Sequence, residues 1–85
     1  MLTEELNEKI EVAIEHKAGK LTPVRFAWKG RNYNVSMVYA NWKEKSPSNT
    51  IEHHFSVSTG GPDMYELIFN GIDLSWRLGR VMLEG

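Results

Sequence analysis

The segment 24–39 alternates between apolar and polar side chains on both sides of the dipeptide Gly30-Arg31. A period of two in both arms predicts a β-hairpin. A type II′ turn at this dipeptide places the required positive φ on Gly30 and sets Trp28 opposite Tyr33. One face of the predicted hairpin then carries six apolar side chains: Val24, Phe26, Trp28, Tyr33, Val35 and Met37.

Three further alternating segments follow in the C-terminal half. The first, 51–59, ends at the turn-forming sequence Thr59-Gly60-Gly61-Pro62-Asp63, and the second, 64–69, ends at Asn70-Gly71. The third begins at Trp76, and its apolar positions shift by one residue before Val81. A β-bulge near Gly79 explains that shift, because one extra unpaired residue returns the apolar side chains to the same face.

Two interpretations are open for the first twenty residues. A helix face is formed by Leu2, Leu6, Ile10, Ala13, Ile14 and Lys17, whereas the segment 10–17 also alternates with a period of two. Because β-branched residues dominate that alternation, we prefer a strand over 10–17, with a short helical turn before it. The stretch 40–50, which contains Trp42 and Pro47, has the composition of a loop.

These elements predict an all-β fold. We expect a single antiparallel meander or partly open barrel of five to six strands, with the N-terminal helical turn as an open alternative. Residues 1–85 should form one domain with its core over about 10–83, because a chain of 85 residues cannot build a second core.

The composition is that of a globular domain, with 41% hydrophobic and 25% charged residues, and it argues against disorder. The chain contains no cysteine, which excludes a disulfide framework and a thiolate metal site. No apolar run approaches the roughly 18 residues of a membrane span, and the first twenty residues are rich in glutamate. We therefore expect a cytoplasmic protein without a membrane segment or signal peptide.

Charge is distributed unevenly, although the net charge is only −1. Residues 1–16 sum to −4, residues 17–45 to +6 and residues 46–85 to −3. The bases of the middle block are Lys17, Lys20, Arg25, Lys29, Arg31, Lys43 and Lys45. Such a block either binds an anionic partner or forms an ordinary solvated face that the acidic ends balance.

The aromatic and glycine positions of the hairpin resemble those of a known family. Residues 26–33 read Phe-Ala-Trp-Lys-Gly-Arg-Asn-Tyr, which is similar to the pattern Phe, any, Trp, basic, Gly, basic, any, Tyr of an uncharacterised family of small bacterial β domains. The resemblance covers about residues 10–83 and also includes Pro23, Val35, Trp42, Phe55, Val57, Tyr65-Glu66-Leu67 and Trp76-Arg77-Leu78. Similar domains occur alone or beside catalytically degenerate Y-family DNA polymerase-like proteins of damage tolerance. The resemblance therefore implies a DNA-maintenance setting, although the family pattern has arginine at hairpin positions where this chain has Lys29 and Asn34.

No pattern in the sequence indicates catalysis or a cofactor. His53 and His54 are adjacent, and neighbouring strand residues point to opposite faces, so this pair is unsuited to binding one metal ion. The chain has no nucleophile elbow, and Thr59-Gly60-Gly61-Pro62 lacks the lysine and helix start of a phosphate-binding loop. Because a pocket also needs walls that so short a chain rarely spares, we expect a non-enzymatic binding module without metal or cofactor.

Two kinds of partner are consistent with such a module. The first is nucleic acid, bound weakly by the cations and the aromatic residue of the middle block: Arg25, Lys29, Arg31, Trp42, Lys43 and Lys45. In the predicted hairpin the first three lie on or at the tip of the polar side, and the alternative for Trp42 is that it covers the end of the core. The second partner is a protein, either a different chain or a second copy that pairs with an edge strand such as 51–58.

Overall fold

The computed structural model describes residues 2–83, which form one antiparallel sheet of seven strands curled into a half-barrel. The strands are β1 (Leu2–Lys17), β2 (Lys20–Trp28), β3 (Arg31–Asn34), β4 (Met37–Lys45), β5 (Ile51–Ser58), β6 (Met64–Asn70) and β7 (Ser75–Leu83). No helix occurs within residues 2–83, and hence none that is long and apolar enough to cross a membrane. The all-β antiparallel prediction is confirmed, whereas the predicted number of five to six strands is wrong.

The N-terminal segment is a strand from Leu2 onward, so the predicted helical turn before residue 10 is wrong. Residues 2–10 pair with β7 and residues 11–17 pair with β2. Backbone pairing on these two neighbours overrides the helical spacing of the apolar residues. Asn7 has a φ of 52° where the register with β7 shifts, a left-handed conformation that asparagine tolerates better than most residues.

The predicted second arm of the hairpin is divided at Val35 and Ser36 into β3 and β4. These two strands lie at opposite edges of the sheet, whose order is β3-β2-β1-β7-β6-β5-β4. The amide of Val35 donates a hydrogen bond to the carbonyl oxygen of Val24, on β2, at 2.9 Å. The amide of Ser36 donates one to the carbonyl oxygen of Ser58, on β5, at 2.8 Å. Two adjacent residues therefore tie the two edges together, and this extra break raises the number of strands to seven.

Strand β4 extends through most of the stretch that was predicted to be a loop. Its residues pair with β5 from Met37 opposite Ser58 to Lys45 opposite Ile51, which confines the turn to residues 46–50. On its other side β5 pairs with β6. The prediction that 51–58 forms a free edge for a second copy is therefore wrong, because β5 is an internal strand.

The β2–β3 hairpin closes in a different register from the predicted one. Phe26 pairs with Tyr33 and not with Val35, and the turn residues Lys29 and Gly30 have φ of 51° and 73°. Positive φ at both positions defines a type I′ turn in place of the predicted type II′ turn. Because the shift is an even number of residues, the apolar set keeps its face, and the rings of Phe26 and Tyr33 stack at 5.1 Å.

β-Bulges in β2 and β7 adjust which residues face the core. In β2 the register with β1 skips Val24, which is 36% exposed while its neighbour Pro23 is buried. The predicted inner position of Val24 is therefore wrong, as is that of Met37, which is 53% exposed. In β7 the register with β6 skips Gly79, which confirms the predicted bulge.

The core is a cluster of eight buried residues: Phe26, Phe55, Val57, Tyr65, Leu67, Trp76, Leu78 and Val81. Trp28 packs against this cluster while half-buried, and its indole Nε1 donates to a carboxylate oxygen of Glu8 at 2.6 Å. Its cross-strand partner is Arg31, in place of the predicted Tyr33. Trp28 thus contributes to the core at its margin.

Candidate functional site

The half-barrel is open on one side of the bridge formed by Val35 and Ser36. Strand β3 covers β2 only at residues 25–28, and β4 pairs only with β5. Within the described chain, the side of β2 that faces away from β1 consequently has no strand partner at residues 20–23, and neither has the side of β4 that faces away from β5. These two free backbone edges border a cleft of about 640 Å³.

The floor of this cleft is mostly apolar. Its lining comes from both free edges, the β1–β2 turn and β5: Gly19, Lys20, Leu21, Thr22, Val38, Asn41, Lys43, His53 and Phe55. Phe55 is buried, and Leu21 and Val38 are half-buried and pack against the core. The cleft therefore leads from solvent directly to the apolar interior of the half-barrel.

The walls of the cleft are cationic. Lys20 stands on the β2 wall and Lys43 on the β4 wall, both exposed, and no carboxylate is among the lining residues. No salt bridge within residues 2–83 engages either lysine. Two uncompensated ammonium groups give this cleft a positive potential.

The first three residues of the predicted nucleic-acid site lie on the β2–β3 hairpin, away from the cleft. All three are exposed, but Arg25 pairs with Asn34 on one face, whereas Arg31 pairs with Trp28 on the other. Lys29 occupies the turn, with its Nζ 4.8 Å from the centre of the Trp28 ring. The altered register thus removes the single polar stripe that the sequence predicted for these cations.

The other three residues of the predicted site lie on β4, at the opposite edge of the sheet. Trp42 and Lys43 are neighbours on a strand and so face opposite sides, and only Lys43 lines the cleft. Trp42 is 37% exposed and stacks on the ring of His54 at 5.2 Å, which places it over a polar layer and not over the end of the core. Lys45, at the end of β4, borders a separate polar cavity.

That polar layer occupies the side of β5 and β6 opposite to the core. His54 and Glu66 are both buried, with 2.6 Å between Nδ1 and Oε1, and the other oxygen of Glu66 lies 2.6 Å from Nε of Arg80. Nε2 of His54 is also buried and lies 3.4 Å from an oxygen of Glu44, too far for a well-formed hydrogen bond. Within residues 2–83 no group of three histidine, aspartate or glutamate side chains is arranged to hold a metal ion.

A second ion pair in the same layer joins β5 to β7. Arg77 donates through both terminal nitrogens to the two carboxylate oxygens of Glu52. These hydrogen bonds lower the pKa of Glu52 below its ordinary value although burial opposes the shift, and they raise the pKa of Arg77. The pair therefore locks two strands together across β6.

Sequence reasoning missed both the cleft and the buried polar layer. The sequence assigned residues 40–50 to a loop, and this assignment hid the wall that carries Asn41 and Lys43. Glu52 and His54 alternate with apolar residues, a pattern that normally marks a solvated face. Their burial depends on ion-pair partners that are 12 to 25 residues away in the chain, for which the local sequence has no signal.

Comparison with known proteins identifies a family for this chain. A search of curated proteins and a search of solved structures each found no match. The sequence profile of the Domain of unknown function (DUF6504) matches residues 1–82. Because this match spans nearly the whole chain, the protein belongs to the DUF6504 family.

Proposed function

We propose that this protein is a cytoplasmic, non-enzymatic binding module that accepts an extended segment of a partner protein in the cleft between β2 and β4. The observation that carries the proposal is the pair of free strand edges bordering one cleft. Unpaired N–H and C=O groups of an edge strand are a ready template for another extended chain. Addition of a strand to such an edge is a common mode of peptide recognition.

The shape of the cleft favours a polypeptide over other ligands. Side chains of an extended segment alternate between two sides, so every second one can enter the apolar floor formed by Leu21, Val38 and Phe55 while the backbone pairs with a wall. A nucleic acid in the same place would need exposed aromatic faces for its bases. Phe55 is only 8% exposed, the half-buried ring of His53 packs on that of Phe69, and Trp42 lies on the other side of β4, so the cleft has no fully exposed aromatic face.

The absence of a positioned reactive pair supports a binding role. His53 supplies an imidazole to the cleft, and its ring contacts that of Phe69 at 6.2 Å between centroids. The histidine whose ring lies at hydrogen-bond distance from a carboxylate is the adjacent His54, on the opposite face of β5. Nucleophilic catalysis by a side chain requires such a pairing of base and nucleophile within reach.

A pair of matched substitutions tests the peptide proposal. Linear peptides are first selected against the protein from a random display library, and their affinity is then measured for Asn41→Trp and Asn32→Trp. Both asparagines are exposed strand residues, but only Asn41 lines the cleft. We expect Asn41→Trp to fill the cleft and weaken binding at least about tenfold, a loss of about 1.4 kcal/mol, while Asn32→Trp binds like the wild type.

Two results would contradict the proposal: no peptide is selected, or the selected peptides bind Asn41→Trp as tightly as the wild type. If a second copy of this chain supplies the extended segment that occupies the cleft, the protein self-associates. Sedimentation of the wild type and Asn41→Trp at micromolar concentration identifies it, because a dimer formed through the cleft would dissociate in the variant.

A second candidate function is weak nucleic-acid binding by the β2–β3 hairpin. Its support is that no salt bridge within residues 2–83 engages Arg25, Lys29 or Arg31, whereas Arg77 and Arg80 are both paired with glutamates. Cations without acidic partners are the ones available to phosphates. The resemblance to domains found beside polymerase-like damage-tolerance proteins supports a DNA-maintenance setting for this candidate.

Fluorescence anisotropy with labelled single- and double-stranded oligonucleotides tests this second function. At about 50 mM salt we expect weak binding. As the salt concentration rises, the binding constant should fall with a log-log slope of roughly −0.7 per phosphate contact on single strands. The double variant Arg25→Glu with Lys29→Glu should weaken binding to all sequences alike, because phosphate contacts carry no base identity. Lys17→Glu, an exposed substitution at the end of β1 that pairs with Lys20 and not with the hairpin turn, is the control, and an equal loss in this control would reject the hairpin as the site.

A further inference from the structure

Taking the cleft as the peptide site proposed above, we propose that its preferred occupant is an extended segment in which carboxylate side chains alternate with aliphatic ones. This inference rests on the proposed function and adds the chemistry of the partner. It follows from the separate placement of charge and apolar surface in the cleft.

The charges of the cleft select for carboxylates. Lys20 and Lys43 stand on opposite walls, both are exposed, and no acid lines the space between them. The opposite side of β4 is mixed in charge, because its glutamates lie there together with Lys45, Arg77 and Arg80. Lysines on both walls and no acid between them therefore attract an acidic segment to the cleft.

The floor of the cleft selects for aliphatic side chains. Leu21 and Val38 are half-buried above the buried ring of Phe55, and none of the three presents a polar side-chain group. Burial of an aliphatic side chain against this floor is favourable by roughly 25 cal/mol for each Å² of apolar surface removed from water. A charged side chain pointing to the same floor would lose hydration without gaining a partner.

Strand geometry combines the two preferences into an alternating pattern. In an extended segment successive side chains point to opposite sides, so those that enter the floor alternate with those that face the rim. The rim is where the flexible ammonium groups of Lys20 and Lys43 reach solvent. Carboxylates at the rim positions can therefore pair with a lysine on either wall.

Three labelled peptides test this specificity. In each, valine alternates with one other residue over about six positions, the length of an average strand, and Gly-Ser segments flank the core. The other residue is glutamate, glutamine or lysine. At about 50 mM salt we expect the glutamate peptide to bind about tenfold more tightly than the glutamine peptide and the lysine peptide to bind more weakly than both.

Charge reversal in the protein assigns the effect to the cleft. Lys20→Glu and Lys43→Glu should each weaken the glutamate peptide several-fold and strengthen the lysine peptide, whereas Lys9→Glu on β1 should change neither. All three lysines are exposed, so the substitutions should not disturb the core. Circular dichroism of each variant serves as the check of folding. The change of preference toward the lysine peptide is an effect that mere destabilisation cannot produce.

The outcomes separate this inference from the proposed function. Equal binding of the glutamate and glutamine peptides would overturn the acidic preference and leave the cleft as a peptide site. Binding of no peptide would reject both. If an oligothymidine of similar length displaced the glutamate peptide and lost affinity in Lys20→Glu and Lys43→Glu but not in Lys9→Glu, the cleft would be a nucleic-acid site and the inference would be overturned.

Discussion

At the scale of single residues, Gly79 shows how one position determines a local distortion of the sheet. It is the residue that the register between β6 and β7 skips, and a Cβ placed on it would lie 2.5 Å from Cδ1 of Ile68. Ile68 is only 4% exposed, so its side chain has little room to withdraw. The shift in the apolar pattern of β7 predicted the bulge, but the close approach of Ile68 is visible only in the folded chain.

Gly79→Ala should therefore destabilise the protein by about 1–3 kcal/mol, the usual cost of overpacking a filled site. Gly61→Ala is the control, because a Cβ there meets nothing within 4 Å and its φ is not positive. Urea unfolding followed by tryptophan fluorescence measures both. A similar free energy of unfolding for the two variants would show that the contact with Ile68 relaxes at no cost.

At the scale of elements, strand pairing decided what local patterns left open. Residues 10–17 satisfied both a helical and an extended pattern, and the strand prevailed because β7 supplies a backbone partner for Ile10 and β2 supplies partners for residues 11–17. The turn of the β2–β3 hairpin was harder to predict. A type I′ turn usually has asparagine or aspartate before glycine, and here Lys29 takes the first position with positive φ.

The ion pair between Glu52 and Arg77 yields a prediction at the same scale, because it links β5 to β7 across β6. Arg77→Met should cost about 1–3 kcal/mol near neutral pH, since it leaves a buried carboxylate without its partner while the arginine itself was partly exposed. Arg31→Met, which removes an exposed cation with no salt bridge within residues 2–83, is the control and should change stability little.

The pH dependence of this effect follows from the lowered pKa of Glu52. Its pKa in the folded protein lies below the ordinary 4.5, so the stabilisation by the ionised carboxylate is complete above pH 4.5 and is lost as pH falls through the lowered value. Urea unfolding of the wild type and Arg77→Met between neutral pH and about pH 3 should show the difference in stability narrowing below 4.5. A difference that stays constant down to the acid end would contradict a contribution from ionised Glu52.

At the scale of the whole molecule, the candidate site exists because the half-barrel does not close completely. Val35 and Ser36 tie β2 to β5 at one point, and beyond it β2 and β4 keep free edges. The sequence had grouped Lys43 with the hairpin cations into one basic block, since these residues are close in the chain. The fold places Lys43 across the cleft from Lys20, while Arg25 and Arg31 lie away from the cleft, on the β2–β3 hairpin.

The sequence by itself determined the all-β class, the bulge at Gly79 and the face on which Phe26 and Tyr33 lie. These features depend on local alternation of apolar and polar residues, which the chain carries in the segments concerned. Tertiary structure alone decided the break at Val35 and Ser36, the extension of β4 and the burial of Glu52, His54 and Glu66. Each of these features depends on partners that are distant in the chain. The backbone N–H and C=O groups of a strand edge are hydrogen-bonded, and a buried charge is paired, only when another element packs beside them.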